Sequence, residues 1–360
     1  MSVGILGYGV YIPTYRIRVA DIASVWGKNG EDIEKTLHVR EKSVAGDDED
    51  AVTVAYEAAT YALSRANISP EKIDVCLVGS ETHPYAVNPT STIVGEFLGI
   101  GHNYFAADLE FACKAGTAGM IAVSGLLLAE KASVGLVIGS DTAAARPHDI
   151  LEYTASSAGA AFLLGKGPSA GLPADRHGEA GKQILAEILD FTSYSSDTPD
   201  FWRRDGVRFP SHSGRFTGEP AYFTHIEGAA KRLLAKTKLT PSDFDYCVFH
   251  MPNGKFPRQI AKRLGFTQQQ IAPSLVVDEL GNPYSASSLI GLAAVLDKAV
   301  PNQRILLLSY GSGAGSDGFI LQTTKHIAQR QKNVPSVAKQ MGEKKYISYV
   351  EYLKKRRKLA

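Results

Sequence analysis

Apolar residues fall in short runs divided by polar punctuation along most of this chain. The opening segment, MSVGILGYGVYIP, alternates apolar and small residues and predicts a strand. DVCLVGS (74–80), ASVGLVIGSD (132–141), GAAFLLG (159–165), DYCVF (245–249), NQRILLLSYG (302–311) and DGFILQT (317–323) are compact apolar runs that predict further, largely buried strands. The longest apolar stretch, Ala115 to Ala129, carries no polar face. It predicts a helix buried on all sides. It contains glycines and falls short of the ~20 residues a bilayer span needs.

These elements recur in order. SPEKIDVCLVG (69–79) parallels TPSDFDYCVFH (240–250): each opens with a hydroxyl residue and proline, then runs into an apolar strand carrying a cysteine, Cys76 or Cys247. Phe97-Leu98-Gly99-Ile100 parallels Arg263-Leu264-Gly265-Phe266, and the helix after Cys113 parallels SASSLIGLAAVLDKA (285–299). The strands at 132–141 and 159–165 parallel those at 302–311 and 317–323. An ordered repeat of this kind predicts two copies of one α/β unit, each with a mostly parallel sheet, and the two buried helices packed together in the middle of five alternating layers. The expected division is a first half over 1–165, a polar insertion or linker over 166–222, a second half over 223–325 and a basic tail over 326–360.

Composition narrows the function without naming it. The chain has 360 residues, 44% hydrophobic and 21% charged, an ordinary globular balance. A net charge of +2 is too small to argue for nucleic acid. Three cysteines do not make a disulfide framework and suggest a reducing compartment. The first residues lack a basic leader and cleavage site, so a cytoplasmic location is expected, with no membrane partner. The nine histidines are scattered and no Cys-x-x-Cys occurs, so no metal site is expected.

The chemistry gathers at strand ends and helix starts. In DLEFACKAGTAGMIAVSGLLLAE (108–130), Cys113 stands at the mouth of the apolar helix, where unpaired N–H groups and the helix dipole would favour its thiolate. Glu81 follows one strand, His250 follows the equivalent strand of the second half, and Asn282 precedes the second central helix. Duplication brings such positions toward one axis. The set suits acyl chemistry: a cysteine can hold an acyl group as a thioester, a carboxylate can remove its α-proton, and imidazole and carboxamide can steady an oxyanion. The run GSGAGSDG (311–318) precedes a strand rather than a helix, which excludes a dinucleotide loop; its glycines are expected to let backbone approach the thioester.

Taken together, ACKAGT around Cys113, GSETHP around Glu81, FHMPNGKFP around His250, GNPYSAS around Asn282 and SYGSGAGSDGF (309–319) resemble the thiolase superfamily. Within it they resemble the hydroxymethylglutaryl-CoA (HMG-CoA) synthases of the compact archaeal type, over nearly all of residues 1–325. The resemblance implies a duplicated five-layered αβαβα fold and condensation of acetyl-CoA with acetoacetyl-CoA and water to HMG-CoA, a mevalonate-pathway step. Cys113 would take the acetyl group, Glu81 would remove the methyl proton, and His250 and Asn282 would engage the acetoacetyl thioester. The resemblance also matches Thr154, Thr217 and Ser312 to the acyl pocket and Arg215, Lys255 and, loosely, Gln259 to contacts with coenzyme A. It implies no cofactor beyond the coenzyme A thioesters, a homodimer or dimer of dimers, and a complex with an acetoacetyl-CoA thiolase and an OB-fold scaffold protein. Two other readings stay open: a ketoacyl synthase III-like condensing enzyme, which would lack a catalytic acid at Glu81, and a non-catalytic acyl-CoA-binding scaffold subunit. The tail KKYISYVEYLKKRRKLA (344–360) reads as a solvated basic helix or a docking element.

Overall fold

Alternation of side chains across each strand determines where the layers form. The computed structural model describes residues 2–167, 183–330, 332 and 334–356. The first repeat supplies β1 (Val3–Tyr11), β2 (Tyr15–Arg18), α1 (Val19–Val25), α2 (Gly30–Leu37), β3 (Glu41–Val44) and α3 (Ala51–Ala66). It continues through β4 (Val75–Gly79), α4 (Thr90–Leu98), β5 (Phe105–Leu109), α5 (Ala115–Leu128), β6 (Val134–Thr142) and β7 (Ser157–Lys166). Next come β8 (Ala186–Thr198), β9 (Phe201–Trp202), β10 (Ser211–His212), α6 (Phe223–Thr237), β11 (Tyr246–Phe249), α7 (Lys255–Leu264), α8 (Gln268–Ile271) and α9 (Val277–Leu280). The chain closes with α10 (Ser287–Leu296), β12 (Arg304–Leu308), β13 (Gly313–Thr323), α11 (Ile327–Arg330), α12 (Val337–Gly342), β14 (Lys345–Tyr346) and α13 (Tyr349–Lys355).

Among the described residues, nine strands join in the order β11-β12-β13-β8-β1-β7-β6-β4-β5. Three apolar cores separate the layers. On β4, Cys76 and Val78 face outward into a core with Ala58, Ala59 and Ala62 of α3, while Leu77 between them faces inward. On β11, Cys247 and Phe249 face Ile226 and Ala229 of α6, while Val248 faces inward. The inward faces of both sheet halves close on Met120, Val123 and Leu127 of α5 and on Leu289 and Leu292 of α10. This gives the five layers. The repeated caps are built alike: Gly99 ends α4 at φ 77° and Gly265 ends α7 at φ 85°, left-handed positions that glycine adopts without a Cβ penalty.

Four expectations need correction. The sheet is mixed: only β4–β5, β4–β6 and β11–β12 are parallel among its pairings, because β12 returns directly into β13 through Ser309–Ser312 and such a short turn permits only an antiparallel neighbour. The span 166–222 is not one polar insertion, for β8 lies inside it and pairs with both β13 and β1 at the centre of the sheet; residues 168–182 of that span lie outside the described residues. The helix α5 is not buried on all sides. Ala122, Gly125 and Leu128 are exposed and Ala118, Ile121 and Leu126 partly so, leaving one stripe open, whereas its counterpart α10 is wholly buried.

The tail is neither loose nor wholly solvated. β14 adds in parallel to β2, and a Ser348–Glu351 capping box starts α13. Tyr349 and Tyr352 are buried; the Tyr349 hydroxyl donates to Glu152 Oε1 at 3.1 Å, and Lys42 Nζ donates to the Tyr352 hydroxyl at 3.2 Å. Residues 357–360 lie outside the described residues.

The central helices start where glycines let backbone pass. A Cβ on Gly139 of β6 would lie 2.5 Å from the Ser285 carbonyl oxygen, and one on Gly79 of β4 would lie 2.5 Å from the Ala115 carbonyl carbon. Gly139→Ala is expected to lower stability by about 1–3 kcal/mol through overpacking against a backbone that cannot yield. The shift in the urea midpoint of the purified variant measures it.

Candidate active site

The strand β4 stops at Gly79, and the next turn carries Glu81. Cys113 lies in a single 3-10 turn (Ala112–Lys114) immediately before α5, with Ala112 at φ 43°. The second repeat has the same turn at Tyr284–Ala286, with Tyr284 at φ 42°. Left-handed backbone at a residue with a Cβ stores strain, and the matched pair shows that one sharp entry to the central helix was built twice. The Cys113 thiol donates to Glu81 Oε1 at 3.0 Å.

This environment reverses the expected thiolate. Burial raises the Cys113 thiol pKa well above its ordinary value, and the adjoining Glu81 carboxylate adds to the effect. Burial also pushes the Glu81 carboxyl up to about 8, with Asp141 adding to it, while the thiol hydrogen bond and Arg203 oppose the rise. Desolvation outweighs the helix start. The resting pair is a thiol held by a carboxyl group whose proton affinity is raised toward that of a thiol, which suits proton exchange between them.

Asp141, at the end of β6, was not singled out from sequence. Its Oδ1 accepts from Ser80 Oγ at 2.9 Å, the Glu81 N–H at 2.8 Å and Thr82 Oγ1 at 2.7 Å. Its Oδ2 accepts from the Ser285 N–H at 2.9 Å and Ser285 Oγ at 2.6 Å. Ser285 occupies the place in the second repeat that Cys113 occupies in the first. The available signal was a carboxylate closing an apolar run, IGSD.

His250 follows β11 and is buried. Its N–H donates to the Leu308 carbonyl at 2.9 Å, and its carbonyl accepts from the Tyr222 hydroxyl at 2.6 Å. Burial pushes the ring down to about 3, so it is neutral, and Nδ1 has no hydrogen-bond partner among the described residues. The ring lies 6.3 Å from that of Tyr310. Asn282 is tied to the first repeat: its N–H donates to the Thr154 carbonyl at 2.7 Å, and its carbonyl accepts from the Ser156 N–H at 3.0 Å. The Tyr284 N–H donates to Asn282 Oδ1 at 3.0 Å, and Tyr284 packs with Cys113 in one small cluster. Thr154 is buried in the same wall. Thr217 Oγ1 donates to the Asp200 carbonyl at 3.2 Å. Asp200 in turn accepts from the Tyr310 hydroxyl at 2.6 Å and the Gly313 N–H at 2.9 Å, and Ser312 is hydrogen-bonded to Tyr310.

Two glycines of the run at 311–318 make room for a side chain. A Cβ on Gly311 would lie 2.7 Å from Lys114 Cγ, and one on Gly315 would lie 2.8 Å from Lys114 Cε. The glycines therefore form a socket for the buried side chain that follows the cysteine. Lys114 Nζ donates to both oxygens of Asp317 at 3.0 and 3.1 Å and lies 4.1 Å from the centre of the Phe111 ring. Asp317 also accepts from Thr117 Oγ1 at 2.9 Å and Ser193 Oγ at 2.8 Å.

Of the three residues matched to coenzyme A, two share a cleft. Lys255 and Gln259 on α7 line it with Lys35, His38, Arg258 and Lys262, and its volume is about 350 Å³. Arg215 is exposed on the turn Gly214–Thr217 and does not line that cleft. Among the described residues, no group of three or more His, Cys, Asp or Glu side chains could hold a metal ion, and no helix is long and apolar enough to cross a membrane.

Comparison with known proteins fits this geometry. Residues 234–323 match the family model described as 3-oxoacyl-(acyl-carrier-protein) synthase III C terminal. The solved structure of MvaS in complex with 3-hydroxy-3-methylglutaryl coenzyme A shares the fold with a TM-score of 0.87 at 24% identity, covering 100% of this chain and 92% of that one. That of 3-oxoacyl-(acyl carrier protein) synthase III from Pseudomonas aeruginosa gives 0.79 at 20% identity, covering 90% and 99%. The fold is that of the thiolase-like condensing enzymes. Hydroxymethylglutaryl-CoA synthase of Archaeoglobus fulgidus is 53% identical over 357 residues, 99% of each chain, and that of Methanothermobacter thermautotrophicus 51% identical over 356 residues, again 99% of each. The chain belongs to the hydroxymethylglutaryl-CoA synthase family.

The buried pair behind the cysteine yields a prediction. Lys114→Met strands the Asp317 carboxylate and is expected to cost about 3–5 kcal/mol, whereas Lys114→Met with Asp317→Leu removes both charges and recovers most of that loss. Denaturant unfolding of the two variants separates these outcomes.

Proposed function

We propose that this chain condenses acetyl-CoA with acetoacetyl-CoA and water to give HMG-CoA and coenzyme A, by way of an acetyl group held on Cys113. The observation that carries the reading is the 3.0 Å contact between the Cys113 thiol and the Glu81 carboxylate. As Sγ attacks the acetyl-CoA carbonyl, its proton passes to Glu81, which returns it to the departing coenzyme A thiolate. The regenerated carboxylate removes a proton from the acetyl methyl. The resulting enolate attacks C3 of acetoacetyl-CoA, and Glu81 gives its proton to the new C3 alkoxide. Water then cleaves the Cys113 thioester and restores the thiol.

His250 is neutral at physiological pH, so it serves this reaction as a hydrogen-bond donor to the C3 oxygen rather than as a resident cation. With its Oδ1 occupied by the Tyr284 N–H, Asn282 offers its NH2 group to the acetoacetyl thioester. Thr154, Thr217 and Ser312 are assigned to the acyl pocket. Lys255 and Gln259, in their basic cleft, are assigned to coenzyme A, whose phosphates suit its cationic lining. Arg215, exposed on its turn, is assigned to the same ligand. The family reading carries further expectations: a cytoplasmic location, no cofactor beyond the thioesters, and association with an acetoacetyl-CoA thiolase and an OB-fold scaffold. Retention of a Glu–Cys pair in contact favours this reaction over a ketoacyl synthase III-like one and over a non-catalytic scaffold.

The open stripe on α5, the exposed Phe97 and Phe105, and the unpaired edge of β5 lie in the first repeat and support a homodimer formed through that side. Ala122→Glu, which puts a charge in the middle of the stripe, is expected to give monomers in sedimentation velocity. A wild-type chain that sediments only as a monomer at micromolar concentration overturns the dimer.

For the chemistry, Glu81→Ala is expected to accumulate acetyl-Cys113 by mass spectrometry, more slowly than wild type, and to form no HMG-CoA. In the wild type the carboxylate is the active form, so condensation should climb as pH rises toward about 8 and flatten above it. Loss of the acetyl adduct in Cys113→Ala with product formation intact would defeat the reading.

A further inference from the structure

The basic C-terminal segment is not used by the reaction above, yet its last described residue reaches the rim of the site. Tyr349 and Tyr352 anchor α13 in the protein body. From the end of that helix, Arg356 Nη2 donates to the Thr142 carbonyl. Thr142 directly follows Asp141, and its own N–H donates to Thr82 Oγ1 at 3.0 Å, in the turn that carries Glu81. The Arg356 carbonyl accepts from Arg208 Nη2 at 2.5 Å. Arg208 lies at the far end of the loop after β9, and Arg203 at its near end donates to the Glu81 carbonyl at 3.2 Å and to the Val207 carbonyl at 3.5 Å. Trp202 and Val207 are exposed, so this loop gains little from burial and depends on such polar ties.

We propose that Arg356 is a positioning residue: it fastens the arginine loop 203–208 to the rim of the site and thereby holds the Arg203 guanidinium over Glu81. The consequence is electrostatic. Glu81 faces Cys113, Asp141, Asp200 and Tyr284, and Arg203 is the cation among these groups. If the loop swings away, the Cys113 thiol hydrogen bond alone opposes the neighbouring carboxylates and Glu81 holds its proton more tightly. A basic residue at the extreme end of the chain thus helps to set the pH at which the carboxylate becomes active.

The inference rests on Glu81 acting as the base, and the experiment separates the two claims. Arg356→Ala, Arg208→Ala, Arg203→Ala and the conservative Arg356→Lys are made in the full-length chain. Hydrogen–deuterium exchange reads loop mobility without reference to chemistry. Loss of one charge-assisted tie is expected to raise exchange over 201–212 by about five- to tenfold in Arg356→Ala and Arg208→Ala. Exchange over α3 should stay unchanged, and Arg356→Lys should restore protection. The rising limb of the condensation pH profile should move up by about half a unit in Arg356→Ala and Arg203→Ala. The double variant should shift no further, because both changes remove the same charge. Unchanged loop exchange in Arg356→Ala, or shifts that add in the double variant, would overturn the strap. A loosened loop with no shift in any variant, Arg203→Ala included, would leave the strap standing and reject Glu81 as the base.

Discussion

The buried carboxylate of Asp141 is the constraint on which the site depends. One oxygen gathers the turn that carries Glu81, and the other gathers the turn that opens the second central helix. A carboxylate taken out of water is costly unless its lone pairs are satisfied, and here five donors from two repeats satisfy them. The same charge raises the proton affinity of Glu81. One group therefore fixes the relative position of the two halves and tunes the acid between them. Burial raises Asp141 itself, while its hydrogen bonds resist that rise. The dense donor set is what keeps a negative charge tolerable so deep in the molecule.

Much of this was legible in the sequence. Cys76 and Cys247, Gly99 and Gly265, and the two apolar helices occupy equivalent places because the same local chemistry was written twice: proline after a hydroxyl residue, a short apolar strand, a left-handed glycine. The contact of Glu81 with Cys113 is foreshadowed in the same way, because the ends of neighbouring elements in one repeat come together. What could not be read was long-range. Asp141 and Ser285 are 144 residues apart, and neither carries a local signal of its partner. The direction of the cysteine's shift is not legible either: a helix start is visible in sequence, whereas the desolvation that outweighs it depends on tertiary packing. The packing of Gly311 and Gly315 on Lys114 is likewise illegible in sequence, because Lys114 lies about two hundred residues earlier in the chain.

The two repeats also diverge in ways that periodicity hides. Both central helices are apolar, yet α10 is enclosed and α5 keeps an open stripe. Among the described residues the first sheet half has five strands and the second four, since the stretch corresponding to β5 is taken up by the short helices α8 and α9. Apolar composition alone does not say whether a face is covered by the same chain or by another. Exposure in the folded chain does, and it sets the open face of the first repeat apart from the enclosed face of the second.

The matched turns at Cys113 and Ser285 show how duplication divides labour. The same bent backbone presents a sulfur in one copy and a hydroxyl in the other. The sulfur lends its one proton to the Glu81 carboxylate, while the hydroxyl is committed to the Asp141 carboxylate and forms part of the frame. The second copy has become a keystone for the first, bearing the load that lets its twin remain reactive. On the role proposed for Cys113, damage to that silent copy would abolish turnover without touching any reacting atom, and loss of activity with an intact cysteine would direct attention to the opposite half of the molecule.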